Sequence, residues 1–123
     1  MYEVTVRKTF SAAHTVTIDS ICEPLHGHNF AVEVTLSAAQ LDDEGLVIDF
    51  RKVKRWLDEI LKEFDHTYLN DLPRFRSVTP TAERLARCIY DYMETKMEST
   101  QCSISRVTVR ESESACATYR GIA

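Results

Sequence analysis

Three of the four histidines in this chain, His14, His26 and His28, fall within one short stretch. His26 and His28 are two residues apart at the start of a predicted strand, so their side chains project to one face. His14 ends the preceding strand, and closing an antiparallel hairpin brings it beside the pair. Three imidazoles converging on one point suit zinc, and three protein ligands leave a fourth position open, as catalytic sites do. Gly27, between the pair, is expected to let another group approach the backbone closely.

Other groups that can move protons lie near this trio or near element ends. Cys22 stands four residues before His26, where a thiol serves either as a fourth ligand or as a thiolate base acidified by the cation. Glu23 follows it and offers a carboxylate to the same space. Asp65 precedes the fourth histidine, His66. A carboxylate beside an imidazole fixes its tautomer and raises its basicity. The alternative is a histidine that complements a helix C-terminal dipole. Glu111 continues the apolar parity of Val107 and Val109, so it must be paired or sit at a mouth of the core. Its two oxygens match adjacent N–H donors such as those of a 2-amino-pyrimidinone ring.

The elements that must position these groups follow from periodicity. Residues 2 to about 13 alternate as a strand, with Tyr2, Val4 and Val6 on one face. Lys8 breaks the parity before Phe10 restores it, which suggests a bulge or an edge. A second strand over about 28–37 turns Phe30, Val32, Val34 and Leu36 inward and Ala31, Glu33 and Thr35 outward. A polar turn over 40–45 leads to a helix capped by Asp49, with Phe50, Val53, Leu57, Ile60, Leu61 and Phe64 on its core face. Residues 65–77 read as a loop. Thr79 and Pro80 are expected as N-cap and first position of a second helix, whose stripe is Ala82, Leu85, Ala86, Ile89, Tyr90, Met93 and Met97. Period two returns at Val107 and Val109, and a turn at 112–114 leads to a closing strand over 115–120. The expected fold is α+β in ββααββ order, a four-stranded antiparallel sheet with two helices on one face. Its two open edges and polar second face favour an oligomer.

The 123 residues suit a single domain spanning 1–123. The 28% of charged residues and the absence of a long apolar run argue against a membrane association. A net charge of −4 with scattered basic residues argues against nucleic acid. The cluster Arg51, Lys52, Lys54 and Arg55 reads as a solvated helix face. The N-terminal alternation reads as a strand rather than a signal peptide, so a cytoplasmic location with free thiols is expected. Cys88, Cys102 and Cys116 read as small buried hydrophobes.

Taken in order, FSAAH at 10–14, CEPLHGH at 22–28, GLVIDF at 45–50, FDHTYLN at 64–70, TPTAE at 79–83 and the Glu111 strand resemble the 6-pyruvoyl-tetrahydropterin synthase and 6-carboxytetrahydropterin synthase family. The resemblance implies the tunnelling fold, with trimeric rings stacked into a homohexamer. It implies zinc on His14, His26 and His28 and a 7,8-dihydroneopterin triphosphate substrate. Cys22 would be the base, His66 oriented by Asp65 a proton relay, and Glu111 the anchor of the pterin ring, with Thr81 and Glu83 nearby. Members making carboxytetrahydropterin carry Cys-x-x-x-His-Gly-His, and a folate-branch group carries Glu-x-x-His-Gly-His. Cys22 and Glu23 satisfy both patterns at once. The carboxytetrahydropterin reaction is therefore the first expectation, with 6-hydroxymethyl-7,8-dihydropterin or 6-pyruvoyl-tetrahydropterin as alternatives. A non-catalytic zinc- or pterin-binding module is the alternative of another class.

Overall fold

Alternating side chains build two long strands, β1 (Tyr2–His14) and β4 (His26–Ala38), in a computed structural model that describes residues 1–98 and 100–122. They pair antiparallel in unbroken register from Tyr2 opposite Ala38 to His14 opposite His26. Between them a small ribbon of β2 (Thr17–Ile18) and β3 (Ile21–Cys22) turns at Asp19 and Ser20, both at positive φ. Two successive residues of that hand suit the tight turn of a twisted hairpin.

Helix α1 (Phe50–Leu61) is capped by Asp49, whose side chain accepts from the Arg51 N–H. Helix α2 (Ala82–Lys96) is capped by Thr81, which accepts from the Arg84 N–H. The N-cap is thus Thr81 rather than Thr79, and Pro80 lies outside the helix. The hydroxyl of Thr81 is the one placed to satisfy an orphan N–H of the first turn. Strands β6 (Ser103–Ser112) and β7 (Ala115–Tyr119) close the fold.

The sheet has five strands rather than four, in the order β5-β1-β4-β6-β7. The extra strand, β5 (Thr67–Tyr68), lies in the segment expected as loop and pairs parallel to β1 at Ala12 and Ala13. Two residues carry too little periodicity to register as a strand. The long elements keep the expected ββααββ order. At Lys8 no bulge occurs. The edge reading holds instead, because β5 covers only the last residues of β1, and Lys8 reaches over to Asp58 of α1 at 2.9 Å.

One core joins the inward face of the sheet to both helices. Val53, Leu57, Leu85, Ile89 and Met93 of the helices and Phe30, Val32, Val34, Val107 and Val109 of the sheet have essentially no exposed surface. Each contributes about 1.5–3 kcal/mol through burial. Phe50, the first residue of α1, departs from the expected core face and is 49% exposed. Arg51, Lys52, Lys54 and Arg55 are exposed, as expected of a solvated face.

The other face of the sheet carries a polar ladder. The Thr5 and Thr35 hydroxyls lie 2.8 Å apart, as do those of Thr108 and Thr118, and Arg110 donates to Glu33 at 3.3 Å. Its neighbours cover Thr35, and Ala31 is buried as well. Among the cysteines, Cys102 is buried, Cys88 half-buried, and Cys116 exposed on β7. Cys116 therefore does not pack as a small hydrophobe. Among the described residues no helix is long and apolar enough to cross a membrane.

Candidate metal centre

The register of β1 against β4 sets His14 directly opposite His26, with His28 two residues further along the same face. One donor atom from each of the three lies within 4.8 Å of the others. His14 is fully buried, and its ring meets His26 and His28 edge-on at centroid distances of 4.6 and 5.4 Å. Phe30 packs against both His14 and His28, closing the site from the core side.

Hydrogen bonds fix which nitrogen faces inward in two of the three rings. His14 Nδ1–H donates to the Pro80 carbonyl at 2.8 Å, and His26 Nδ1–H donates to the Pro24 carbonyl at 2.9 Å. A carbonyl can only accept, so in the neutral ring each Nε2 is left with a bare lone pair. The Nε2 atoms of His14 and His28 are buried without a hydrogen-bond partner. A buried polar atom without a partner costs about 1–3 kcal/mol. A cation held between these atoms would satisfy both, so the residues fit a metal ion. Burial, partly opposed by the Glu111 carboxylate, holds His28 below its ordinary pKa, which favours the neutral, ligating form.

Glu111 reaches the trio from β6. Its Oε1 lies 4.0 Å from His14 Nε2 and its Oε2 3.9 Å from His28 Nε2. An irregularity in the β6–β7 pairing between Arg110 and Ser112 falls at this residue. The carboxylate also borders a cavity of about 220 Å³ walled by Ala82, Ala115, Cys116 and Ala117, with Glu83 at its side. Glu111 thus sits at a mouth of the core. Thr81 acts as the N-cap of the helix that carries Glu83 and does not line this cavity.

Asp65 and His66 lie beyond the end of α1 rather than within its last turn, and the β1 edge holds them. The Ser11 N–H donates to Asp65 Oδ1 at 2.9 Å, and the His66 N–H donates to the Ser11 carbonyl at 2.6 Å. His66 adopts φ 58°, an unusual state for a non-glycine residue that these two bonds sustain. Its Nδ1 lies 3.0 Å from Asp65 Oδ2. The Ser11 hydrogen bond, reinforced by His66, lowers the Asp65 pKa, so the carboxylate is ionised and able to accept. The imidazole is 82% exposed and borders an open groove of about 370 Å³ together with Gly27, His28 and Asn29. A Cβ added at Gly27 would meet the Ala12 carbonyl at 3.6 Å, ordinary contact, so the fold itself makes no close approach there.

Cys22 and Glu23 take different surroundings. Cys22 is exposed on β3, opposite Thr17, with its Sγ 3.6 Å from the Glu23 carbonyl. Its thiol is not among the donors grouped within 4.8 Å. Glu23 is half-buried, and its N–H donates to the Val16 carbonyl.

Several positioning groups carry no signal in the sequence. The backbone carbonyls of Pro80 and Pro24 orient two of the imidazoles, and no side chain announces them. Ser11 clasps the Asp65–His66 pair through its main chain, while its hydroxyl donates to Asn29 Oδ1 at 2.6 Å. Asn70 grips Thr15, directly after His14, accepting from its N–H and donating to its carbonyl. Asn70 lies in the FDHTYLN segment, which marks the place but not the role.

A family profile described as 6-pyruvoyl tetrahydropterin synthase matches residues 3–122. A 6-carboxy-5,6,7,8-tetrahydropterin synthase of Bacillus subtilis is 33% identical, over 97% of this chain and 85% of that protein. A dihydroneopterin monophosphate aldolase of Pyrococcus furiosus is 40% identical, over 65% of this chain and 64% of that protein. The solved structure of Caenorhabditis elegans 6-pyruvoyl tetrahydropterin synthase superposes with a TM-score of 0.82 at 25% identity, covering 99% of this chain and 98% of that one.

Proposed function

The chain belongs to the 6-pyruvoyl tetrahydropterin synthase family, and from that premise we propose that it is a zinc-dependent lyase converting 7,8-dihydroneopterin triphosphate to 6-carboxy-5,6,7,8-tetrahydropterin. The observation that carries this reading is the convergence of His14, His26 and His28, two of them with buried, unpartnered Nε2 atoms. Zinc, when bound there, supplies Lewis acidity toward the oxygens of the substrate side chain.

The chain's own groups do the rest. Glu111, at the mouth of the small cavity, accepts hydrogen bonds from the adjacent N–H donors of the pterin ring, with Glu83 beside it and Thr81 holding that turn in place. His66, held by Asp65, carries protons at its exposed Nε2, since Nδ1 faces the carboxylate. Cys22 takes a proton as a thiolate once the ribbon carrying it folds toward the trio. The triphosphate meets basic side chains rather than a glycine-rich loop.

The assembly proposed is a homohexamer of two trimeric rings in the cytoplasm. The β1 edge, covered by β5 only at Ala12 and Ala13, supports strand pairing between copies. The polar ladder on the second sheet face supports a water-lined ring interior.

A second reading has its own support. Glu23 is less exposed than Cys22, and the Pyrococcus relative is described as an aldolase. Side-chain cleavage to 6-hydroxymethyl-7,8-dihydropterin would then use Glu23. The deciding experiment incubates zinc-loaded protein with dihydroneopterin triphosphate and identifies products by mass. Carboxytetrahydropterin supports the first reading, the hydroxymethyl product the second. Recovery of unchanged substrate would leave only a binding module.

A further inference from the structure

Glu111 faces two ways. On one side its two oxygens stand 4.0 and 3.9 Å from the Nε2 atoms of His14 and His28. On the other, the same side chain borders the cavity of about 220 Å³ between the start of α2 and β7. Ligand atoms around one tetrahedral zinc, each about 2.0–2.1 Å from it, stand about 3.4 Å from one another. One Glu111 oxygen therefore lies about 0.6 Å beyond that spacing from His14 and the other about 0.5 Å beyond it from His28. A turn about the last bond of the side chain covers that difference, because this terminal torsion is broad and soft.

We propose that Glu111 caps the metal in the resting protein, as its fourth ligand, and leaves it when a pterin ring enters the neighbouring cavity. This rests on the reading that the His trio holds a metal and that the substrate is a pterin. The two positions exclude each other. Two parallel hydrogen bonds from a 2-amino-pyrimidinone ring occupy both carboxylate oxygens, whereas capping commits at least one of them to the metal. Seating the ring thus opens the fourth position at the moment the substrate's side chain needs it. Without the ring, the position stays closed to water and to other small anions. The small side chains of Ala82, Ala115 and Ala117 leave the carboxylate room to swing. Glu111 is 30% exposed at the end of its strand, so no packed core resists the motion.

The test replaces the metal by cobalt(II), whose visible absorption reports the number and type of ligands without any turnover. Wild type, Glu111→Gln and His28→Ala are compared, each alone and titrated with pterin, the ring lacking a side chain that could reach the metal. His28→Ala should lose the cobalt spectrum, which establishes that the trio holds the ion. The resting spectra of wild type and Glu111→Gln should differ. Pterin should shift the wild-type spectrum toward that of Glu111→Gln, and should leave Glu111→Gln unchanged. Identical resting spectra would overturn the cap. Pterin that binds wild type, seen by fluorescence quenching, without altering its spectrum would overturn the gate. Failure of pterin to bind at all would refute the gate together with the substrate reading, while the resting comparison would still decide the cap. The wild-type titration alone keeps the idea open to refutation should Glu111→Gln fold poorly.

Discussion

His14 Nδ1–H and the Pro80 carbonyl meet at 2.8 Å, joining the last residue of β1 to the approach of helix α2, 66 residues later in the chain. Through this bond the segment before α2 sets the tautomer of a strand histidine and points its Nε2 at His26 and His28. The same approach brings Glu83 to the cavity that Glu111 borders. One backbone carbonyl therefore ties the geometry of the histidine trio to that of the cavity beside Glu111.

Metal binding should depend on all three imidazoles. His28→Ala should reduce zinc from about one ion per chain to almost none and abolish activity. The fold should survive, because His28 is partly exposed while the core beneath it is formed by Phe30 and Val32. Elemental analysis beside a melting curve checks both halves. Full zinc content in this variant would remove the central claim.

The convergence of the histidine trio was legible in the sequence because a strand period of two and one hairpin closure suffice to bring His14, His26 and His28 together. The long elements were legible for the same reason, since Val53, Leu57, Ile60 and the stripe from Ala82 to Met93 repeat often enough to define a face. What stayed hidden is set by backbone rather than side-chain pattern. Strand β5 has two residues, the clasp of Ser11 on Asp65 and His66 spans 54 positions, and Pro80 acts through a carbonyl. Pro80 lies outside the helix, and the pattern alone does not show this, because Thr79 and Thr81 offer the same capping chemistry two residues apart.

The Asp65–His66 pair should show the signature of proton transfer rather than of binding. His66→Ala should lower kcat by about 10²-fold or more with a small change in KM, and Asp65→Asn should lower it less. The Ser11 bond holds the Asp65 pKa below its unfolded value. Its contribution to stability is therefore present above the ordinary carboxylate pKa and is lost as pH falls through the lowered folded value. The stability gap between wild type and Asp65→Asn should accordingly close in strong acid and stay constant at neutral pH. A gap that widens on acidification would contradict this assignment.

Assembly should be visible in solution. The proposed pairing between copies along the outer edge of β1 would give closed rings built on a threefold axis. Light scattering should give a mass of about six chains at micromolar concentration. Introducing a proline at Arg7, whose N–H shares the outward parity of Ser11 in the uncovered part of β1, should break the rings, because proline cannot donate to an incoming strand. A monomeric wild-type protein would count directly against the hexamer.

The boldest expectation divides two reactions between Cys22 and Glu23. Their adjacent positions do not make them equivalent, since Cys22 is exposed on β3 and Glu23, the next residue, is half-buried. A thiolate near a cation is a strong base and suits the longer sequence ending in carboxytetrahydropterin. A carboxylate is weaker, but suffices to take a hydroxyl proton in a retro-aldol cleavage of the side chain. Cys22→Ala should therefore abolish the carboxytetrahydropterin product and leave some hydroxymethyl product, and Glu23→Ala should do the reverse. His66→Ala and Glu111→Ala should damage both. Product identity is measured by mass for each variant at equal zinc loading, so that a lost metal is not mistaken for a lost base. Glu23→Ala with both products unchanged would show that Glu23 is a loop carboxylate and that Cys22 alone carries the chemistry.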